Sequence, residues 1–203
     1  DTYHRSGLYP IQLPSGIGLE ASGIVEEIGE KVSLFKVGDR VSHASAPIGG
    51  YAEKQIMPEE KLVSVPDGIS DEVASCILLK GITSEYLLHR SYPAKKGDKV
   101  LFHAAAGGVG QILCQWANAI GCEVIGTVGS NEKMNIAKKN GCHHVINYTE
   151  KNFVEEVEKI VGKNGIDVVY DGVGKKTFEG SIECLKIRGM MVAFGNASGY
   201  VDT

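Results

Sequence analysis

Between residues 97 and 195 short β-branched apolar runs alternate with longer segments whose apolar residues fall on one side. The runs are the one around Val100-Leu101-Phe102, then EVIGTVG, HHVINY, IDVVYDGVG and RGMMVAFGN. Runs so uniformly apolar fit parallel strands buried on both faces. The segments between them carry helical spacing, as in Phe153, Val157 and Ile160 of the stretch from Glu150 to Gly162, and in the stretch from Glu132 to Asn140. Five strand–helix units in series predict an α/β architecture built on a doubly wound parallel sheet.

The first unit holds the most specific motif. Val100-Leu101-Phe102-His103 runs into Ala104-Ala105-Ala106-Gly107-Gly108-Val109-Gly110 and then into QILCQWANAIG, with Ile112, Leu113, Trp116 and Ile120 at helical spacing. Strand, glycine turn and helix predict the phosphate-cradling start of a dinucleotide-binding βαβ unit. Gly107 allows the turn, Gly108 lets backbone approach a pyrophosphate, and Gly110 lets helix pack close to strand. Ala105 stands where the first glycine of GxGxxG would be.

Residues 1–66 are different: rich in Gly and Pro, with short alternating runs GIVEEIG, DRVSHA, GYAEKQIM and KLVSVP that predict strands separated by turns. EKVSLFKVGDRV reads as a hairpin-like excursion ending at Gly38-Asp39. A helix from Asp71 to Arg90, N-capped by Ser70, joins this β-rich part to the nucleotide-binding part. A formal net charge of −4 gives no basic field for nucleic acid, and no run approaches the ~18 apolar residues of a membrane span. Five scattered cysteines (Cys76, Cys114, Cys122, Cys142, Cys184) read as free, buried thiols of a reducing compartment. No CxxC or HExxH spacing occurs, and the tandem His143-His144 on a strand would point to opposite faces, so no metal site is expected.

Three stretches, GLEASGIVEEIGEKVSLFKVGDRV, LLKGITS and GDKVLFHAAAGGVGQILCQWA, together resemble the medium-chain dehydrogenase/reductase superfamily and its zinc-independent, zeta-crystallin-like quinone oxidoreductase branch. The likeness covers essentially the whole chain and departs at Asn118, where a basic or small residue is usual. It implies part of a GroES-like catalytic domain over residues 1–81 and a partial Rossmann NADPH-binding domain over 82–203. Relatives of this type extend beyond both ends, so the chain reads as a piece without the last strand and the C-terminal return. Zinc-dependent relatives have GHE where this chain has Gly18-Leu19-Glu20. Without a Lewis acid the acceptor must be activated by hydrogen bonds or be intrinsically easy to reduce, as quinones are. The resemblance thus implies cytoplasmic, NADPH-dependent reduction of a small quinone or other electrophilic carbonyl compound by a homodimer. An enone or 2-enoyl thioester reductase, or a non-enzymatic NADPH-binding protein, stays open on the same scaffold.

Site residues follow from both arguments. Ala106, Gly107, Gly108 and Val109 form the pyrophosphate turn. An NAD-selective site has an acid near the end of the second strand, about 20 residues past the glycines. Here that segment is Gly129-Ser130-Asn131-Glu132-Lys133. Ser130 can donate to a phosphate oxygen, Lys133 supplies charge, and Tyr148 resembles the family's further contact to the 2′-phosphate. Thr83 and Tyr86, three apart on a helix, match the segment that reaches the nicotinamide. Val173 and Asn196 sit at carboxyl ends of strands, where ligands gather in such sheets. Tyr3 and Tyr9 match tyrosines lining the family's substrate pocket, as catalytic hydrogen-bond donors or as packing. His4 and His103 are tempting proton donors, but a strand-borne His103 reads as a packed histidine.

Overall fold

Gly and Pro interrupt the first 66 residues too often for long elements, and the structure there is correspondingly sparse. A computed structural model describes residues 1–201; positions 202 and 203, at the end of the expected nucleotide-binding domain, lie outside the described residues. The chain separates into two units, Asp1–Lys80 and Gly81–Thr203. In the first, a helical turn α1 (Thr2–Arg5) precedes three antiparallel strands in the order β1 (Ala21–Ile24), β2 (Arg40–His43), β3 (Val63–Ser64). No spacing in DTYHR signals α1. The excursion after β1 is a loop closed by two backbone bonds, Gly38 N–H to Val25 O and Val25 N–H to Asp39 O.

GYAEKQIM, expected to be a strand, is irregular. The N–H groups of Gly50 and Tyr51 bond to Gly18 O and Ile17 O, so donors that a ladder needs are spent on a distant loop. Ile56 is left 92% exposed.

α2 (Asp71–Tyr86) starts as read, with Ser70 Oγ accepting the Val73 N–H. It does not continue to Arg90: a wider π turn takes over at Leu87–Ser91, its Tyr92 N–H reaching Leu87 O. Pro93 accounts for the stop, because the residue before a proline is pushed out of the helical region, and Tyr92 is extended at φ −140°.

In the second unit β4 (Lys99–His103), β5 (Glu123–Val128), β6 (His144–Asn147), β7 (Ile166–Asp171) and β8 (Leu185–Ala193) alternate with α3 (Gly108–Ile120), α4 (Asn131–Lys139), α5 (Phe153–Val161) and α6 (Phe178–Cys184). Every strand pairing is parallel and the order is β6-β5-β4-β7-β8. The doubly wound sheet of the sequence reading is therefore present. Its two faces bury different residues of the same strands, as pleating requires. Val100, Phe102, Val124, Val168 and Tyr170 share one core with Leu113 and Ala117 of α3. Leu101, Ile125 and Val169 share the other with Val157 of α5 and Cys184 of α6.

Three details differ from the sequence reading. α3 buries Gly110, Leu113, Cys114 and Ala117, while Trp116 is exposed with its edge against His89. The close approach of helix to strand selects small residues for the buried stripe. α5 begins at Phe153, not Glu150, because the Glu150 and Lys151 N–H groups turn back to Asn147 O and Asn152 caps the Val154 N–H. Of the five cysteines all are unpaired, but Cys76 is exposed and only the other four are buried.

Candidate functional site

Strand order reverses at β4, which has β5 on one side and β7 on the other. Ligands of open α/β sheets gather in the crevice outside the carboxyl strand ends at such a reversal. The glycine turn lies there, between β4 and α3. Its left-handed residue is Ala104, at φ 61°, and not Gly107, which keeps an ordinary negative φ of −76°. What Gly107 supplies is room: a Cβ there would lie 3.0 Å from Ala104 O. Gly110 is needed more strictly, since its Cβ would meet Ala105 O at 2.6 Å and Ala104 O at 2.7 Å. Gly107 and Gly108 are exposed, Ala106 and Val109 half-buried. No side chain caps α3, and the first backbone bond closing its turn runs from the Gln111 N–H to Gly107 O. The preceding N–H groups at the positive end of the helix macrodipole suit an anion.

A second cluster sits at the end of β5. A Cβ at Gly129 would lie 2.7 Å from the Tyr148 hydroxyl, so a side chain there would displace the Tyr148 ring from the strand end. Ser130 is the N-cap of α4, its Oγ accepting the Lys133 N–H at 3.4 Å, so the hydroxyl hydrogen stays available for an outward acceptor. The Tyr148 N–H bonds to Val128 O, which brings the ring beside Gly129. Asn131 is held by Glu150 Oε1 (2.7 Å) and by the Asn147 amide (3.0 Å), fixing the loop. The strand end carries no acid; Glu132 stands in the first turn of α4, next to the exposed Lys133. Gly129, Ser130, Lys133 and Tyr148 thus form one local group able to hold a phosphate.

At the ends of β7 and β8 two turns lock together. Val173 O accepts both the Ser198 N–H (2.7 Å) and the Ser198 hydroxyl (2.8 Å), and the Ala197 N–H reaches Gly172 O. Gly174 sits at φ 87°, where a Cβ would lie 2.7 Å from Gly199 O. Val173 and Asn196 therefore belong to one double turn beside the crevice, both half-buried.

Behind it lies a buried polar chain that sequence reasoning missed. Asp171 Oδ1 accepts the N–H groups of Val173 (2.7 Å) and Gly174 (3.0 Å), and Oδ2 accepts the Thr177 hydroxyl (2.7 Å). The Ser181 hydroxyl donates to Thr177 O (2.7 Å). With its hydrogen so used, Ser181 Oγ accepts from His103 Nε2, leaving His103 Nδ1 to accept from the Thr127 hydroxyl at 2.8 Å. Burial drives the His103 ring down to about 4, against a smaller opposing pull from the Asp171 carboxylate. His103 is the packed, satisfied histidine of the sequence reading. The sequence signals only the turn at one end of this chain, in Asp171-Gly172, since an aspartate before glycine is a side chain that turns backbone upon itself.

Thr83 and Tyr86 lie one turn apart on α2, both half-buried. Burial raises the Tyr86 hydroxyl above its usual range. Tyr86 packs on the core that also supports Ala106, Val109 and Phe194. In the first unit Tyr3 and Tyr9 meet edge to face at 5.0 Å, with the Tyr9 N–H bonded to Tyr3 O and His4 against Tyr9 at 5.9 Å. Where a metal-binding relative would carry histidine, Leu19 precedes Glu20, whose carboxylate accepts the Leu79 N–H at 2.7 Å and pairs with Lys80. Among the described residues no three His, Cys, Asp or Glu gather as a cation site. His143 and His144 are spent separately, on the Val124 N–H and on Glu123. No helix of the described residues is long and apolar enough to cross a membrane.

Residues 1–67 match the alcohol dehydrogenase GroES-like domain and residues 108–202 the zinc-binding dehydrogenase domain. A quinone oxidoreductase of Pseudomonas aeruginosa is 50% identical over 99% of this chain and 62% of its own length. A 2-haloacrylate reductase of a Burkholderia species is 47% identical over the whole chain and 62% of its own length. The crystal structure of Escherichia coli quinone oxidoreductase complexed with NADPH superposes with a TM-score of 0.97 at 49% identity, over 100% of this chain and 63% of that one. The chain thus spans about 62% of the length of the curated relatives it matches.

Proposed function

The chain belongs to the medium-chain dehydrogenase/reductase superfamily, on its quinone oxidoreductase branch, and from that membership we propose that the full-length protein is an NADPH:quinone oxidoreductase working without a metal. The carrying observation is the pair of anion sites at one end of the sheet: the uncapped start of α3, and the acid-free Gly129–Ser130–Lys133–Tyr148 group. The first suits a pyrophosphate and the second a 2′-phosphate, which is the feature that separates NADPH from NADH. Bound there, the dinucleotide would supply hydride. Ala106, Gly107, Gly108 and Val109 would hold the pyrophosphate, and Val173, Asn196, Thr83 and Tyr86 would set the nicotinamide end. Tyr3 and Tyr9 are the proposed acceptor-side residues, donating hydrogen bonds to a quinone oxygen or packing beside the ring. The GroES-like domain (1–81) would then serve the acceptor and the Rossmann domain (82–203) the cofactor, in a cytoplasmic homodimer. The four buried, unpaired thiols fit such a compartment.

A second reading is favoured by the Burkholderia relative, named for reducing an electron-poor alkene. One comparison separates the two: full-length protein assayed with NADPH and with NADH against a quinone and against 2-chloroacrylate. The proposal expects the highest kcat/KM for NADPH with the quinone. Faster reduction of the haloacrylate would replace the substrate, and tight NADPH binding without turnover of either would replace the enzymatic reading.

A further inference from the structure

We infer that Asp171 and Thr177 are positioning residues for the nicotinamide end of the cofactor. The inference rests on the NADPH reading above. Asp171 is completely buried at the last position of β7, beside the strand-order reversal. Its carboxylate spends three acceptor bonds on a single turn: the Val173 N–H at 2.7 Å, the Gly174 N–H at 3.0 Å and the Thr177 hydroxyl at 2.7 Å. Thr177 is also buried and stands at the start of α6, so the carboxylate ties the turn to the following helix. The turn is gripped from its other side by Ser198, whose backbone and hydroxyl both bond to Val173 O. Val173 is therefore fixed at both its N–H and its carbonyl, on the side of the crevice across from the glycine turn.

A carboxylate so placed is costly to bury and has no role in covering the core, which apolar residues already fill. What it provides is a rigid backbone edge. Hydride transfer depends on placing the reacting carbon within a few tenths of an ångström, and a turn free to rotate about Val173 would lose that placement. The adenosine half is held elsewhere, by the start of α3 and the end of β5, and shares no hydrogen bond with Asp171. The two halves of the cofactor should thus respond differently to this pair.

The test is calorimetric titration of full-length wild type, Asp171→Asn, Thr177→Val and Thr177→Ser with two ligands, NADPH and adenosine 2′,5′-bisphosphate, which lacks the nicotinamide half. Asp171→Asn and Thr177→Val should weaken NADPH roughly 10-fold while leaving the bisphosphate within about twofold. Thr177→Ser, which keeps the hydroxyl, should restore NADPH binding. If Asp171→Asn fails to fold, the two Thr177 variants decide the matter alone. Equal weakening of both ligands would mean general damage to the domain and would overturn the inference, as would unchanged binding of NADPH. A wild type that binds neither ligand would overturn the cofactor reading itself; a wild type that binds both, with variants indistinguishable from it, would overturn only the positioning role.

Discussion

Acidification should expose the buried histidine at the end of β4. His103 is 1% exposed, both ring nitrogens are engaged by hydroxyl groups, and burial holds the ring at about 4 against 6.5 for a free one. Phe153 packs edge-on against it at 5.0 Å, and the charge that opposes the downward shift is Asp171, at the end of the neighbouring strand β7. The folded ring stays neutral where the unfolded ring has taken a proton, so the unfolded state binds more protons and stability is lost as pH is lowered. The contribution is fully present above about pH 6.5 and is lost as pH drops towards 4. At pH 5 the difference between the two titrations amounts to about 2 kcal/mol, a large fraction of the net stability of an ordinary domain. The measurement is the urea midpoint of wild type and His103→Gln between pH 7.5 and 5. The variant loses packing and starts less stable, but its pH dependence should be shallower by that ~2 kcal/mol. Parallel pH profiles would refute the reasoning, because they would mean that the native ring takes its proton as easily as a free one.

Further outcomes test the site. Lys133→Ala removes one charge-assisted contact, worth about 1.5–3 kcal/mol, and should weaken NADPH roughly 10- to 100-fold with NADH barely changed; equal losses would remove Lys133 from the phosphate site. Gly110→Ala pushes a methyl to within 2.6 Å of a backbone oxygen that cannot yield, so α3 must move away from β4. A loss of about 1–3 kcal/mol in stability is expected, together with weaker NADPH binding, and a wild-type urea midpoint would contradict the packing argument. Full-length protein incubated in strong chelator should keep its activity, and elemental analysis finding about one zinc per chain would refute the metal-free reading.

The features legible in the sequence are those made within a few residues of one another. The glycine turn, the Ser70 cap of α2 and the alternation of buried strands each need only a local pattern. The Asp171–Thr177–Ser181–His103–Thr127 chain is invisible to such patterns because its members are brought together by sheet order: His103 and Ser181 are separated by 78 positions. Burial, which turns an ordinary Asp-Gly turn into an anchoring one, is likewise a property of the assembled sheet. The expected role of Gly107 shows the opposite error. A glycine in a turn invites a left-handed backbone, yet Ala104 takes that conformation and Gly107 serves clearance.

The same contrast separates the two units. In the Rossmann unit a parallel sheet demands short apolar runs, and each run announces its strand through residue type. The GroES-like unit is stitched by contacts such as Gly49 and Gly50 on Gly18, Ser33 and Leu34 on the Glu59 carboxylate, and Arg40 on Asp71, none periodic and most spanning 20 residues or more. There a hydrophobic alternation like that of GYAEKQIM has nothing to enforce it as a strand, because its first donors go to the distant loop at Ile17 and Gly18 and not to a neighbouring strand. The cofactor end is written in short segments whose chemistry survives reading in one dimension. The proposed acceptor end, with Tyr3 set against Tyr9 by a bond from the Tyr9 N–H to Tyr3 O, depends on irregular loops. On that proposal, modest changes in such loops would alter which electrophile fits without disturbing the nucleotide site. On the proposed function a quinone and a haloacrylate would compete for one scaffold, and the choice between them would fall to the unit whose sequence carries the weaker pattern.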